Sequence, residues 1–474
     1  MTQRSAVVVG SGPNGLSAAV ALAQAGLRVT VLEAAEEIGG GTRTAELTLP
    51  GIRHDICSAV HPLGIASPFL ASLPLAEHGL EWRHPEIALA HPLDDGSAAL
   101  LHRDLEQTCA GLGEDGAAWR RSFAPLLPGV DDLLDEVLRP LVHVPRHPVR
   151  LARFGLRAGL PATWFARRFR TPAARALFAG SAAHSYTPLT APASAAVGVM
   201  LTLAGHASGW PVAAGGSAAI TRALASLLES LGGEIHTGVR VTSMAQLPPA
   251  DVVLLDLTPT AALELLDDRL PAGPARAYRR WRYGPAAFKL DLVVRGGVPW
   301  TAPQVRRAGT VHVGGTLEQI AAAEASVAAG RMPPDPFVLV AQQAVADPLR
   351  LGEDPDLQPV WVYGHVPHAH AEDATDAVLD QVERFAPGLR ARIVATATHT
   401  PADYAAHNAN YRGGDIAGGA NDLVQLVARP RLRDPYATGV DGVYLCSSST
   451  PPGAGVHGMC GLRAARRALA GLGA

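Results

Sequence analysis

Residues 6–33 constrain this chain more than any other stretch. An apolar run, Ala6-Val7-Val8-Val9, ends at Gly10, and the turn Gly10-Ser11-Gly12-Pro13-Asn14-Gly15 follows. An alanine-rich helical pattern then runs to Gly26, and a second short run, Arg28 to Leu32, ends on Glu33. Strand, Gly-x-Gly-x-x-Gly turn, helix, strand and acid in this order specify a dinucleotide-binding βαβ unit. Gly10 allows the tight turn, Gly12 lets the backbone approach a pyrophosphate, and Gly15 lets helix and strand pack closely. Phosphates then sit where the helix opens at Pro13 and Asn14, because its unpaired N–H groups and dipole favour an anion. Glu33 suits the ribose hydroxyls and would repel a 2′-phosphate, which argues against NADP.

A second glycine run, Ile38-Gly39-Gly40-Gly41-Thr42-Arg43-Thr44, precedes Asp55-Ile56-Cys57-Ser58-Ala59-Val60-His61-Pro62. NAD does not need glycines at this distance from the ribose acid, whereas the longer, extended FAD meets further backbone there. Gly40, Gly41, Thr44 and His61 are therefore expected around FAD. Arg43 is expected either to pair with the pyrophosphate or to lie against the flavin edge.

At 474 residues the chain is too long for one simple core, so two intertwined domains are expected. A net charge of −3 argues against nucleic acid as a partner. Cys57, Cys109, Cys446 and Cys460 are far apart and lack metal or redox spacing, as expected for reduced thiols in a cytoplasmic protein without a metal site. The first strand begins within about six residues of Met1, which leaves no room for a signal peptide. The uncharged stretch Ala193 to Gly205 is too short to cross a bilayer, which takes about 20 residues. All basic residues but one are arginine; Lys289 is the exception.

No Asp or Glu occurs between Val137 and Leu228, while Arg139, Arg146, Arg150, Arg153, Arg157, Arg167, Arg168, Arg170 and Arg175 crowd the first half. With Leu151, Phe154, Leu156, Trp164 and Phe165 between them, they read in three ways: basic amphipathic helices on an anionic membrane, a solvated face, or the approach to an acidic substrate's site. Ala176 to Thr221 carries no charge but contains His184-Ser185-Tyr186-Thr187. It reads as buried, with a core helix at 193–203 that walls an apolar substrate cavity. His184 and Tyr186 are candidates for substrate contact, or else hydrogen-bonded core residues.

Residues 215–256 read as a return to the nucleotide-binding domain: a helix from Ala218 to Leu231, strand-like runs at 234–237, 239–242 and 251–256, and backbone near Val241 that meets the adenine. Strands at 288–294, 310–315, 337–340 and 359–366, with helices at 318–329 and 371–385, read as a mixed sheet over the flavin. The closing stretch Gly442 to Gly461 is strand, Gly/Ser-rich loop and helix start. Ser448, Val456, His457, Gly458 and Met459 are expected there as a second anion site, at the flavin end.

Together, Gly10 to Gly15 with Glu33, Gly39 to Thr44, Asp55 to Pro62, Gly413 to Gly419 and Tyr444 to Gly461 resemble the phytoene-desaturase-like flavoproteins. Asn410 to Asp415 and His312 to Thr316 look closer to that branch's uncharacterised relatives than to true carotenoid enzymes. The resemblance implies an α/β protein with a Rossmann-like, glutathione-reductase-type FAD domain built from residues 1–65, 205–270 and 405–474. An inserted α+β substrate domain, 66–204 and 271–404, includes a helical basic and apolar region at 120–204. The wider superfamily holds the flavin amine oxidases, whose strand lysine keeps a water against the flavin. Gly284 to Lys289 followed by Pro299-Trp300 is similar to their pattern. Lys289 thus has two readings, that water-holding role or an ion pair with Asp291 on the same strand face.

The expected activity is hydride transfer from a carbon of an apolar or partly apolar small molecule to FAD, as a dehydrogenase, desaturase or oxidase. His61, His184 and His457 are the candidate bases for the second proton, His457 foremost. Electrons are expected to leave to oxygen, a quinone or another protein, with no NAD(P). The alternatives are a flavin amine oxidase, supported by Lys289, and a flavin-binding scaffold with little turnover.

Overall fold

The computed structural model describes residues 3–473. β1 (Ser5–Val9), α1 (Pro13–Gln24) and β2 (Arg28–Leu32) form the expected βαβ unit. They belong to a five-stranded parallel sheet in the order Val443–Leu445, Val252–Leu255, β1, β2, Glu234–His236. Helices cover both faces of such a sheet, so its central strands read as unbroken valine and leucine. Gly461 allows one of these coverings: a Cβ there would stand 2.0 Å from the Asn14 carbonyl, so only glycine lets the C-terminal helix Met459–Gly471 lie against α1.

The second sheet has seven strands, ordered Ile393–His399, Ala286–Arg295, Leu357–Val366, Val338–Ala341, Ala308–Val313, Ile87–Pro92, Ala98–Leu101. Its pairs are antiparallel except for Ala308–Val313 with Ile87–Pro92, which is parallel. The expected mixed sheet is therefore present and gains three strands, at 87–92, 98–101 and 393–399. The strand-like run at 239–242 is instead irregular: Val239 N–H donates to the Glu33 carbonyl at 2.8 Å, which leads the chain past the end of β2.

Helices fill the region between these sheets and solvent, and Trp119, Phe123, Phe165, Phe169 and Phe178 form an aromatic core among them. The uncharged helix Ala195–Ala207 is buried along most of its length, as its composition requires. Among the described residues no helix is long and apolar enough to cross a membrane.

Candidate cofactor and substrate cavity

A cavity of about 630 Å³ lies between the two sheets. Its walls at one end are Gly10, Gly12, Pro13, Asn14, Glu33, Arg43, Val241 and Asp256, and at the other His61, His184, Tyr186, Leu201, Trp210, Thr310, Leu339, Trp361 and Tyr363. Gly40, Gly41, Ser448 and Val456 line it as well. Volumes of this order suit an enclosed ligand of cofactor size.

The nucleotide end is shaped by what its glycines leave out. Gly10 has φ +104°, and a Cβ on Gly15 would lie 2.1 Å from the Gly10 carbonyl oxygen. Gly15 itself stands behind the wall and donates its N–H to Asp256 Oδ2 at 3.0 Å. A Cβ on Gly41 would reach within 2.0 Å of the Tyr411 hydroxyl. Burial pushes the Asp256 carboxyl up to about 7, with a further push from Glu33. A carboxyl that is protonated as readily as this one tolerates a phosphate beside it. Among the described residues, Asn14 Oδ1 and His61 Nδ1 are buried without hydrogen-bond partners. Those orphaned groups on the wall of an elongated cradle that side chains would fill are what bound FAD requires.

Several expected residues are engaged with the protein itself. Glu33 Oε2 accepts from Ser11 N–H at 2.9 Å and Ser11 Oγ at 2.6 Å, and Oε1 accepts from Ala35 N–H at 2.9 Å. The Arg43 guanidinium donates to the carbonyls of Glu37 (2.8 Å), Ile38 (3.3 Å) and His407 (3.4 Å) and pairs with Glu33 at 3.4 Å. Arg43 thus braces the glycine loop while also lining the cavity. Thr44 is not on the wall: it donates to Asp55 at 2.7 Å and accepts from Ala218 N–H at 3.1 Å, which ties the loop to the helix Ala218–Ser230.

The residues expected at the flavin-end anion site part company. Ser448, Ala454, Gly455 and Val456 line the cavity, whereas His457, Gly458 and Met459 do not. His457 turns inward, and its Nδ1 accepts the Met459 N–H at 3.1 Å, so the first N–H of that helix is capped from within. Gly458 packs on α1, where a Cβ would lie 2.2 Å from Ser17 Oγ. Burial pushes His457 down to about 4. His61, bonded through Nε2 to Ser217 Oγ at 2.8 Å, is also pushed down to about 4. His184, whose Nε2 meets His312 Nε2 at 2.9 Å, falls to about 3 for the same reason. Burial thus holds all three neutral at pH 7 and makes each a weak candidate base.

Lys289 is fully buried, is not on the wall, and its ammonium is bonded to Asp291. His54 and His399 each lie 3.4 Å from Asp291 as well. The Lys289 nitrogen sits 5.9 Å from the ring centre of Trp361, the side chain that does face the cavity. Of its two readings, the arrangement is the ion pair. Tyr186 and His184 do reach the cavity.

Asp256, Trp210, Thr310, Leu339, Trp361 and Tyr363 were not among the sequence candidates. Asp256 had a visible signal, since it ends an apolar strand just as Glu33 does. Trp361 and Tyr363 alternate along one strand face. Arg350 had none, being one arginine of many in the sequence; it is fully buried, pairs with Asp347 at 3.0 Å and with Asp55, and so anchors the segment that carries Cys57 and His61.

Residues 8–70 match the family described as NAD(P)-binding Rossmann-like domain. The chain is 25% identical to pyridine nucleotide-disulfide oxidoreductase domain-containing protein 2 of Mus musculus, an alignment that covers 97% of this chain and 92% of that protein. It is also 25% identical to hydroxyneurosporene desaturase of Rhodobacter capsulatus, over 96% and 95% of the two chains. Among solved structures, putrescine oxidase bound to putrescine superposes with a TM-score of 0.64 at 18% identity, covering 100% of both chains. The two sheets, the glycine cradle and the cavity between them thus make up the FAD-type oxidoreductase fold.

Proposed function

We propose that the chain is an FAD-dependent oxidoreductase that takes a hydride from a carbon of an apolar small molecule, and that it belongs with the phytoene-desaturase-like flavoproteins. The observation that carries this reading is the separation of charge along the cavity. Glu33, Arg43, Arg240 and Asp256 all stand at the nucleotide end, and among the described residues no carboxylate, lysine or arginine lines the end walled by Leu201, Trp210, Leu339 and Trp361. Such a wall binds by excluding water and by shape, and it offers nothing to pair with a cationic substrate. Bound FAD would supply the hydride acceptor. The chain's own part is to orient the donor carbon, with Tyr186 and His184 as polar contacts, and to keep water out. The likeness to hydroxyneurosporene desaturase supports oxidation of a carbon–carbon bond.

The test is the visible spectrum of the purified protein, followed by anaerobic mixing with apolar alkenes and with primary amines. Flavin bleaching by the alkenes is the expected result. Bleaching by amines alone would transfer the assignment to the amine oxidases, the reading favoured by the putrescine oxidase likeness. Absence of flavin after reconstitution would end both. Return of colour in air or only with a soluble quinone then identifies the electron acceptor.

Peripheral membrane contact forms part of the same proposal. Val144 (90% exposed), Leu156 (75%) and Trp164 (58%) project beside the exposed Arg146, Arg153 and Arg167. Apolar side chains flanked by arginines match an anionic bilayer surface, from which an apolar substrate would arrive. The four cysteines are free and buried, which suits a reducing compartment.

A further inference from the structure

We propose that Tyr363, His365 and Glu324 form a proton relay opening on the cavity, in which the Tyr363 hydroxyl oxygen takes the second proton from the substrate. The inference rests on the hydride-transfer reading above. Alternation along the strand Leu357–Val366 puts Trp361, Tyr363 and His365 on one face, and Tyr363 is part of the cavity wall. His365 Nε2 lies 3.5 Å from the Tyr363 hydroxyl, and its Nδ1 lies 2.8 Å from Glu324 Oε1, on the helix Leu317–Ala328. Glu324 is 2% exposed. The Tyr186 ring stacks on His365 at 4.0 Å and 26°, which fixes the imidazole plane.

The direction of the relay follows from the partners. A carboxylate only accepts, so Nδ1 carries the ring proton and Nε2 presents its lone pair to the tyrosine. The Tyr363 O–H then points at His365, and its oxygen faces the cavity beside the Tyr186 hydroxyl. Burial keeps Tyr363 a neutral phenol by raising its pKa, so it serves as a base only by passing its own proton on as it accepts another. In the reaction one substrate C–H bond breaks with its electron pair, which leaves as hydride to FAD. The neighbouring C–H bond breaks with its electrons retained as the new double bond. That proton goes to Tyr363 Oη, the tyrosine proton goes to His365 Nε2, and Glu324 compensates the imidazolium. Among the described residues, His61, His184 and His457 have no carboxylate at hydrogen-bond distance, so none is backed in this way. A 3.5 Å contact is within the range that shortens when substrate fills such a site.

Tyr363 is the catalytic residue here, and His365 and Glu324 are positioning residues. The decisive measurement is ¹⁵N NMR of the FAD-loaded full chain at pH 7, with H365Q to assign the signal. The relay requires the Nδ1–H tautomer of His365 in the wild type and its conversion toward Nε2–H in E324Q, where the amide donates to Nδ1. An Nε2–H tautomer in the wild type overturns the proposal without any substrate. With the donor identified in the bleaching screen, Y363F should keep its flavin spectrum and KM while the rate of flavin reduction falls about 100-fold or more. An unchanged rate would overturn the proposal. If the wild type binds no flavin, the hydride-transfer reading fails separately, while the tautomer still decides the relay.

Discussion

Replacing Asp256 by Asn tests the electrostatics of the nucleotide end most directly. Folding raises this carboxyl from 3.8 to about 7, mainly by burial. In the pH window between those values the folded chain holds a proton that the unfolded chain has lost, so stability falls as pH rises. At about 1.4 kcal/mol per pH unit the full cost is about 4 kcal/mol above pH 7, and about 3 kcal/mol of it accrues between pH 5 and pH 8. Asn keeps the acceptor for Gly15 N–H and carries no charge. Urea unfolding of flavin-free wild type and D256N at both pH values is the assay, because all other titrations cancel in the difference. D256N should gain about 3 kcal/mol on the wild type from pH 5 to pH 8. The affinity of the wild type for FAD should also weaken above pH 7 by up to about tenfold per pH unit, with no such slope in D256N, because a phosphate disfavours the charged carboxylate further. Parallel stability curves for the two proteins would refute the reasoning.

Gly15→Ala should abolish flavin retention, seen as loss of the visible spectrum, because its Cβ would lie 2.1 Å from the Gly10 carbonyl. K289M should lower stability by about 3 kcal/mol in urea unfolding, since it strands Asp291 without its ammonium, and should leave the rate of flavin reoxidation by oxygen unchanged. A slowed reoxidation would restore the water-holding role. His61, His91, His206 and His457 are pushed down to about 4 by burial, so the folded chain resists protonation that the unfolded chain accepts at 6.5. Their contribution is complete above pH 6.5 and is lost as pH falls toward 4, so unfolding midpoints should drop steeply across that window. Wild type should float with anionic vesicles in a density gradient, and a variant with L156S and W164S should stay in the soluble fraction. Each side chain contributes about 1.5–3 kcal/mol of apolar burial.

The nucleotide end was legible because glycine and strand-end acids are local signals: the backbone conformation and close approach that Gly10 and Gly15 supply have few other sequence solutions. The same logic applied to 251–256 would have found Asp256. His457 shows the limit of reading by proximity. Its neighbours Gly455 and Val456 face the cavity, but in an irregular loop the direction of one side chain says nothing about the next, and His457 turned inward to cap Met459. Lys289 illustrates a different limit, because the paired residue and the strand face were both readable while the covering ring of Trp361 comes from another strand. The edge strand Ile393–His399 went unread although its sequence alternates between half-buried and exposed positions, a weak pattern at a sheet edge. Glu324 meets His365 across a helix-on-sheet contact that no spacing encodes.

The parallel sheet also sets a schedule for synthesis. β1 pairs with Val252–Leu255, and that strand pairs with Val443–Leu445. β1 thus lacks its inner neighbour until residues 252–255 have been made, roughly 12–50 s after β1 at ordinary elongation rates, and that neighbour in turn waits for Val443–Leu445. During that interval β1 has only β2 beside it and its other edge is open, and pairings this remote in sequence close slowly. Cofactor supply during translation should therefore set how much of the chain reaches its native state, and cells short of flavin precursor should accumulate it as aggregate rather than as folded apoprotein.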